Sequence, residues 1–169
     1  MLSIPHQDQN NLTLQCAIIT VSDTRTTETD KSGQLIHSYL TEAGHEIKTY
    51  IIIPDEPIEI QQQLTKITAN HTDVVIINGG TGIAPRDTTY DALESLLEKT
   101  LPGFGEIFRS LSYNEIGSRA IASRAIAGVY QQTLIFSLPG SSNAVKLALE
   151  KLILPEITHL VKQIQRLPN

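Results

Sequence analysis

A chain of 169 residues with 40% hydrophobic and 18% charged content can close one α/β core without disulfide staples. Its net charge of −5 argues against a nucleic-acid or anionic-membrane surface, while leaving room for a local basic pocket around a small anion. The single cysteine, Cys16, excludes an intrachain disulfide, and the five histidines have no metal-ligand spacing.

Residues 1–12 are polar and lack the basic start and apolar stretch of a signal peptide. They read as a flexible N-terminal tail ahead of a single domain over 13–169. No apolar run reaches the ~18 residues of a membrane span, so a cytoplasmic protein is expected. Residues 14–21 form an apolar, β-branched run, the first strand, with Cys16 a packed core residue. A helix follows over 31–43, with Asp30 as its N-cap and Gly44 at the C′ position. Residues 46–53 form the second strand. Pro57 opens the next helix, where Ile60, Leu64 and Ile67 recur at helical spacing. The third strand, 73–78, empties into Gly79-Gly80-Thr81-Gly82, and Asp87 opens a helix carrying Tyr90, Leu93 and Leu97 on one face. A helix over 105–113 is followed by strands at 123–130 and 133–138, joined at Gln131-Gln132 as a hairpin. Two C-terminal helices are expected, broken at Pro155. Strands alternating with helices imply a mostly parallel sheet covered on both faces.

Open α/β sheets bind ligands beyond the carboxyl ends of their strands. The polar clusters fall at those ends: Ser22-Asp23-Thr24-Arg25, Pro54-Asp55-Glu56, the glycine turn with Arg86 and Asp87, and Gly140-Ser141-Ser142-Asn143 at a helix start. Glycines after a strand let backbone N–H groups approach a phosphate closely. Each cluster also has a plainer reading. Ser22 and Asp23 cap a loop equally well, and Asp55 and Asp87 serve equally as helix N-caps or metal ligands. Ser141, Ser142 and Asn143 cap a helix, and their N–H groups make an anion site. Ser123 and Arg124 are strand residues, with the arginine leaning toward an anion contact. The glycine turn lacks the lysine of a Walker A loop, and Pro85 breaks the dinucleotide fingerprint.

Together, Thr20-Val21-Ser22-Asp23, Pro54-Asp55-Glu56, Gly79-Gly80-Thr81-Gly82, Pro85-Arg86-Asp87, Ser123-Arg124-Ala125 and Leu138-Pro139-Gly140 resemble the MoaB/Mog family of molybdenum cofactor biosynthesis. The match runs in consistent order over residues 13–165, and Gly103-Phe104-Gly105-Glu106 with Glu115-Ile116-Gly117 is similar to its B-type branch. The chain departs from many members at Tyr90, where they carry proline, and at Ser141-Ser142, where they carry Asn-Pro. The resemblance implies a three-layer αβα sandwich, with a mostly parallel sheet and an antiparallel portion, assembling as a homo-trimer or hexamer. It implies a molybdopterin adenylyltransferase that moves AMP from Mg-ATP to the terminal phosphate of molybdopterin and releases pyrophosphate. Asp55 and Asp87 map onto the family's catalytic carboxylates and would hold Mg²⁺. Ser22, Asp23, Gly79, Gly80, Thr81, Gly82, Arg86, Ser123, Arg124, Gly140, Ser141, Ser142 and Asn143 would bind the substrates. Other molybdenum cofactor biosynthesis proteins are candidate partners. The alternatives are a catalytically silent molybdopterin-binding or scaffold protein of the same fold, and an unrelated nucleotide-binding regulatory module.

Overall fold

The computed structural model describes residues 12–165, so all of the expected tail except Leu12 lies outside the described residues. The first apolar run forms β1 (Gln15–Val21), followed by α1 (Lys31–Glu42), β2 (Glu46–Ile53), α2 (Pro57–Thr68) and β3 (Val74–Asn78). Next come α3 (Thr89–Glu94), β4 (Lys99–Thr100), α4 (Pro102–Ile116), a 3₁₀ segment (Gly117–Ala122), β5 (Ile126–Tyr130) and β6 (Thr133–Leu138). The described chain ends with α5 (Ser142–Ala148), a π turn (Leu149–Ile153) and α6 (Leu154–Gln165).

The six strands form one sheet in the order β2-β1-β3-β6-β5-β4. β2, β1, β3 and β6 run parallel, while β5 pairs antiparallel with β6 and with β4. Because successive strand side chains point to opposite faces, each central strand feeds two cores. Cys16 and Ile18 of β1, Val74 and Ile76 of β3, and Phe136 of β6 pack with α1, α5 and α6. Ala17, Ile19, Val75, Ile77 and Ile135 face Ile60, Leu64 and Leu93 of α2 and α3 on the other side. The result is the expected three-layer αβα sandwich with an antiparallel portion.

Cys16 lies in the first of these cores at 0% exposure. Burial, with a smaller push from the Asp73 carboxylate, raises its thiol to about 12. The native protein is therefore expected to resist thiol-specific alkylation at mildly alkaline pH and to take up one equivalent on denaturation. Rapid labelling of the native state would contradict this placement.

Three expectations are corrected. Asp87 does not open α3, which starts at Thr89 and ends before Leu97. The Asp87 carboxylate turns back to accept from Ala84 N (3.2 Å), and Asp55 Oδ1, from a distant loop, satisfies Thr88 N (3.1 Å) at the helix entrance. The chain is not simply broken at Pro155. Leu154 N donates to Leu149 O across the π turn just before it, so a one-residue wider turn absorbs the donor that proline lacks. The strand expected at 123–130 begins only at Ile126: Ser123 leaves the preceding 3₁₀ segment in an extended conformation (φ −77°, ψ 120°), but residues 123–125 do not join the sheet. The hairpin does form: Gln131 and Gln132 both take positive φ (48° and 62°), the pattern of a two-residue turn normally filled by Asn-Gly.

Candidate functional site

The parallel pairing of β1, β2, β3 and β6 sends the loops after all four strands to one edge of the sheet. There Gly79 and Gly80 adopt positive φ (100° and 64°). A Cβ on Gly79 would sit 2.2 Å from Val21 O, and one on Gly80 would sit 2.1 Å from Thr89 Oγ1 and 2.5 Å from Asp55 Oδ2. Side chains are excluded there by both backbone angle and space. The turn is pinned at both ends, by Gly79 N donating to Leu138 O (3.0 Å) and Thr89 N donating to Gly80 O (3.0 Å).

Above the turn lies a cleft of about 530 Å³. Of the residues expected to bind substrate, Ser22, Gly79, Gly80, Thr81, Gly82, Ser123, Gly140 and Ser141 line it, together with Asp87. Ser22 and Ser141 also cap: Ser22 Oγ accepts from Arg25 N (3.1 Å), and Ser141 Oγ accepts from Ala144 N (3.2 Å) at the start of α5. Ser123 Oγ is buried with no hydrogen-bond partner among the described residues. Ser142 and Asn143 do not line the cleft; Ser142 Oγ instead lies 3.3 Å from Ser32 Oγ.

The two carboxylates press on the glycine turn from different sides. A Cβ at Gly82 would fall 2.5 Å from Asp87 Oδ2, just as one at Gly80 would meet Asp55 Oδ2. Asp87 is half-buried and faces the cleft, and its Oδ1 takes no hydrogen bond among the described residues. Asp55 is buried, and its Oδ1 accepts from both Thr88 N (3.1 Å) and Thr88 Oγ1 (2.7 Å). Thr89 Oγ1, also against Gly80, has no hydrogen-bond partner among the described residues. Among the described residues no group of three or more His, Cys, Asp or Glu side chains gathers as a metal site. Each of these two hard carboxylates keeps one oxygen outside any hydrogen bond among the described residues, a donor pair that would suit Mg²⁺, an ion that keeps much of its shell as water and phosphate.

The arginines are where side-chain direction departs from the sequence reading. Arg86 points away from the cleft. Its guanidinium pairs twice with Asp23 (2.9 and 3.0 Å) and once with Glu56 (2.6 Å). The hydrogen bonds from Arg86 hold the Asp23 carboxyl below its usual range, and Asp23 Oδ1 also accepts from Asp55 N (3.1 Å). Asp23 and Arg86, with Glu56 and Asp55 N, thus tie the first, second and third loops together outside the cleft. Arg124 lies behind the glycine turn, donating to Thr81 O and Gly82 O and pairing with Asp91. Its guanidinium lies 4.8 Å from the centre of the Tyr90 ring, which gives Tyr90 a stacking role.

The cations that do line the cleft are Arg25 and Arg119, and neither stood among the expected binding residues. Arg25 belonged to a singled-out tetrapeptide, so its position was a usable signal. Arg119 sits on the 3₁₀ segment, which carries no periodic pattern that would aim it.

A glycine turn, a carboxylate and two arginines, Arg25 after β1 and Arg119 on the 3₁₀ segment, meet beyond the carboxyl ends of the parallel strands of an αβα sheet, and together they have the donors and charge that a phosphorylated ligand would need. The family profile described as a probable molybdopterin binding domain matches residues 17–159. Molybdenum cofactor biosynthesis protein B of Bacillus subtilis (strain 168) is 56% identical over 163 residues, 95% of this chain and 96% of that protein. A crystal structure of a molybdenum cofactor biosynthesis protein B superposes with a TM-score of 0.90 at 51% identity, covering 94% of this chain and 100% of the other. The tungsten cofactor synthesizing protein MoaB from Pyrococcus furiosus gives 0.83 at 41% identity, covering 91% and 98%. The chain belongs to the MoaB/Mog family of molybdenum cofactor biosynthesis.

Proposed function

We propose that the cleft binds molybdopterin and Mg-ATP and transfers AMP to the pterin's terminal phosphate. An oxygen of that phosphate attacks the α-phosphorus of ATP, the bond to the oxygen bridging the α- and β-phosphates breaks, and pyrophosphate leaves. The carrying observation is the convergence of the Gly79–Gly82 turn with Asp87, Arg25 and Arg119 in one cleft. Backbone N–H groups of the turn and of the Ser141 loop would hold phosphoryl oxygens. Arg25 and Arg119 would spread positive charge along the triphosphate. Asp87 would hold Mg²⁺, with Asp55 as a second carboxylate or as an orienting group for the pterin phosphate. When bound, Mg²⁺ offsets the repulsion between the incoming phosphate and the triphosphate. The names of the relatives, which place them in molybdenum or tungsten cofactor synthesis, support this reading.

The double acceptance of Thr88 by Asp55 Oδ1 favours a second reading, in which Asp55 ties a turn and the protein binds molybdopterin without turnover. Incubation with molybdopterin and Mg-ATP, followed by chromatography for adenylated pterin, separates the two. Binding without product selects the second.

We further propose a homo-trimer or hexamer. Tyr113 and Ile116, one turn apart on α4, and Ile121 beyond it are exposed, Ile121 by 89%, apolar side chains suited to burial between copies. Light scattering is expected to give a multiple of three 18.6 kDa subunits at micromolar concentration. A monomer would overturn the proposal.

A further inference from the structure

Asp30 does more than its capping task requires. Accepting from Gly33 N (3.0 Å) is enough to cap α1. Yet the wholly buried carboxylate also accepts from Thr20 Oγ1 (2.5 Å), Tyr50 OH (2.7 Å) and Arg25 Nη1 (3.4 Å). Thr20 Oγ1 in turn accepts from Asn78 Nδ2 (2.8 Å), the residue just before the glycine turn. A Cβ on Gly33 would lie 2.2 Å from Asp30 Oδ2 and 2.3 Å from Tyr50 OH, so the chamber fits this carboxylate closely. Burial, and then the carboxylate itself, push the Tyr50 hydroxyl upward, which keeps it a donor.

Among the described residues one partner in this chamber carries the opposite charge, Arg25, and it reaches the cleft. Arg25 spends one edge of its fork on Asp30 and donates from Nη2 to Gly140 O (2.9 Å). The guanidinium lines the 530 Å³ cleft and an adjoining hollow of about 480 Å³ beside Thr26 and Pro54. Resting on the anion-binding reading above, we infer that Asp30 is a positioning residue that fixes the direction of the Arg25 guanidinium and tempers its charge toward phosphate.

The two effects have opposite signs, which makes them measurable. Removing the Asp30 charge leaves the cleft more positive, so a bound anion is held more tightly. Removing the anchor lets the guanidinium drift, and a transition state tolerates misplacement far less than a flexible ground-state ligand does. General damage to the fold weakens both binding and rate.

The test is Asp30→Asn in the full-length protein. Asparagine keeps the Oδ1 acceptor that caps α1 and nearly the same volume while removing the charge; the 3.4 Å contact from Arg25 Nη1 falls on that same oxygen and is left to a neutral acceptor, a much weaker anchor for the guanidinium. Titration with pyrophosphate in the presence of Mg²⁺ is expected to show affinity raised about threefold or more. Steady-state AMP transfer is expected to show kcat lowered about tenfold or more. Weaker pyrophosphate binding, or no change in either quantity, overturns the inference. Should Asp30→Asn not fold, Tyr50→Phe withdraws one donor and keeps the charge. It is expected to lower kcat about threefold with pyrophosphate affinity unchanged, and an unchanged kcat overturns the inference. If the wild-type protein binds pyrophosphate but transfers no AMP, the transfer reading falls and the binding arm decides: tightening by Asp30→Asn supports the charge role, and weakening overturns it. Wild-type protein that binds no pyrophosphate overturns the inference together with the cleft reading.

Discussion

Gly80→Val is expected to abolish measurable ATP binding and to lower stability, whereas Gly44→Ala is expected to lower stability alone. Both glycines hold positive φ, at +64° and +86°, so an L-residue at either costs about 1–2 kcal/mol of backbone strain. They differ in surroundings. A Cβ at Gly44 meets nothing within 4 Å, but one at Gly80 meets Thr89 Oγ1 and Asp55 Oδ2 at 2.1 and 2.5 Å. Branched valine adds an overpacking penalty of about 1–3 kcal/mol and must displace one of those groups. Moving Asp55 releases Thr88, and with it the entrance to α3 and the far end of the glycine turn. Thermal melts and ATP titrations on the two variants separate the contributions. Equal ATP affinities for the two would sink the proposal that the turn forms the phosphate cradle.

Gly80 also marks how much the sequence disclosed. Its place after a buried strand announced a turn near a ligand, because apolar β-branched runs and glycines are local signals. The parallel strands, the Asp30 cap, the Pro57 helix start and the Gln131-Gln132 hairpin were legible for the same reason. β4 was not, since two exposed residues pairing with Val129 and Gly128 at a sheet edge carry no pattern.

The polar side chains were read less completely, and the reason is reach. An arginine extends its charge several ångströms from its backbone, so the sequence places its Cα near a site without saying which way the guanidinium turns. Arg86 and Arg124, expected at the ligand, turn to Asp23 and Asp91, while Arg25 and Arg119 face the cleft. Asp30 was legible as a cap because that bond spans three residues. Its bonds to Tyr50 and Thr20 span 20 and 10 residues and exist only once β1 and β2 pair.

Asp87→Asn is expected to lower AMP transfer by at least about 10²-fold, the scale of losing one well-placed electrostatic group. The fold should survive, because an asparagine side-chain oxygen can still accept from Ala84 N, the one hydrogen bond the Asp87 side chain makes among the described residues, and the backbone bond from Asp87 N to Ala84 O is untouched. ATP affinity should change far less than the rate, since the turn N–H groups and Arg25 remain to hold the phosphates. Asp55→Asn should also slow transfer, with a larger share of the loss in binding. Its oxygen can keep both Thr88 bonds, and its new amide lies on the side of Thr89 Oγ1, which has no partner among the described residues. What the variant removes is therefore mainly charge. The measurements are kcat and KM for adenylated pterin formation at saturating Mg²⁺, with light scattering as a check on assembly. Full activity in Asp87→Asn would remove Asp87 from the chemistry. If the wild-type protein itself binds molybdopterin and forms no product, both carboxylates are ties that shape the glycine turn, and the cleft is a binding site without turnover.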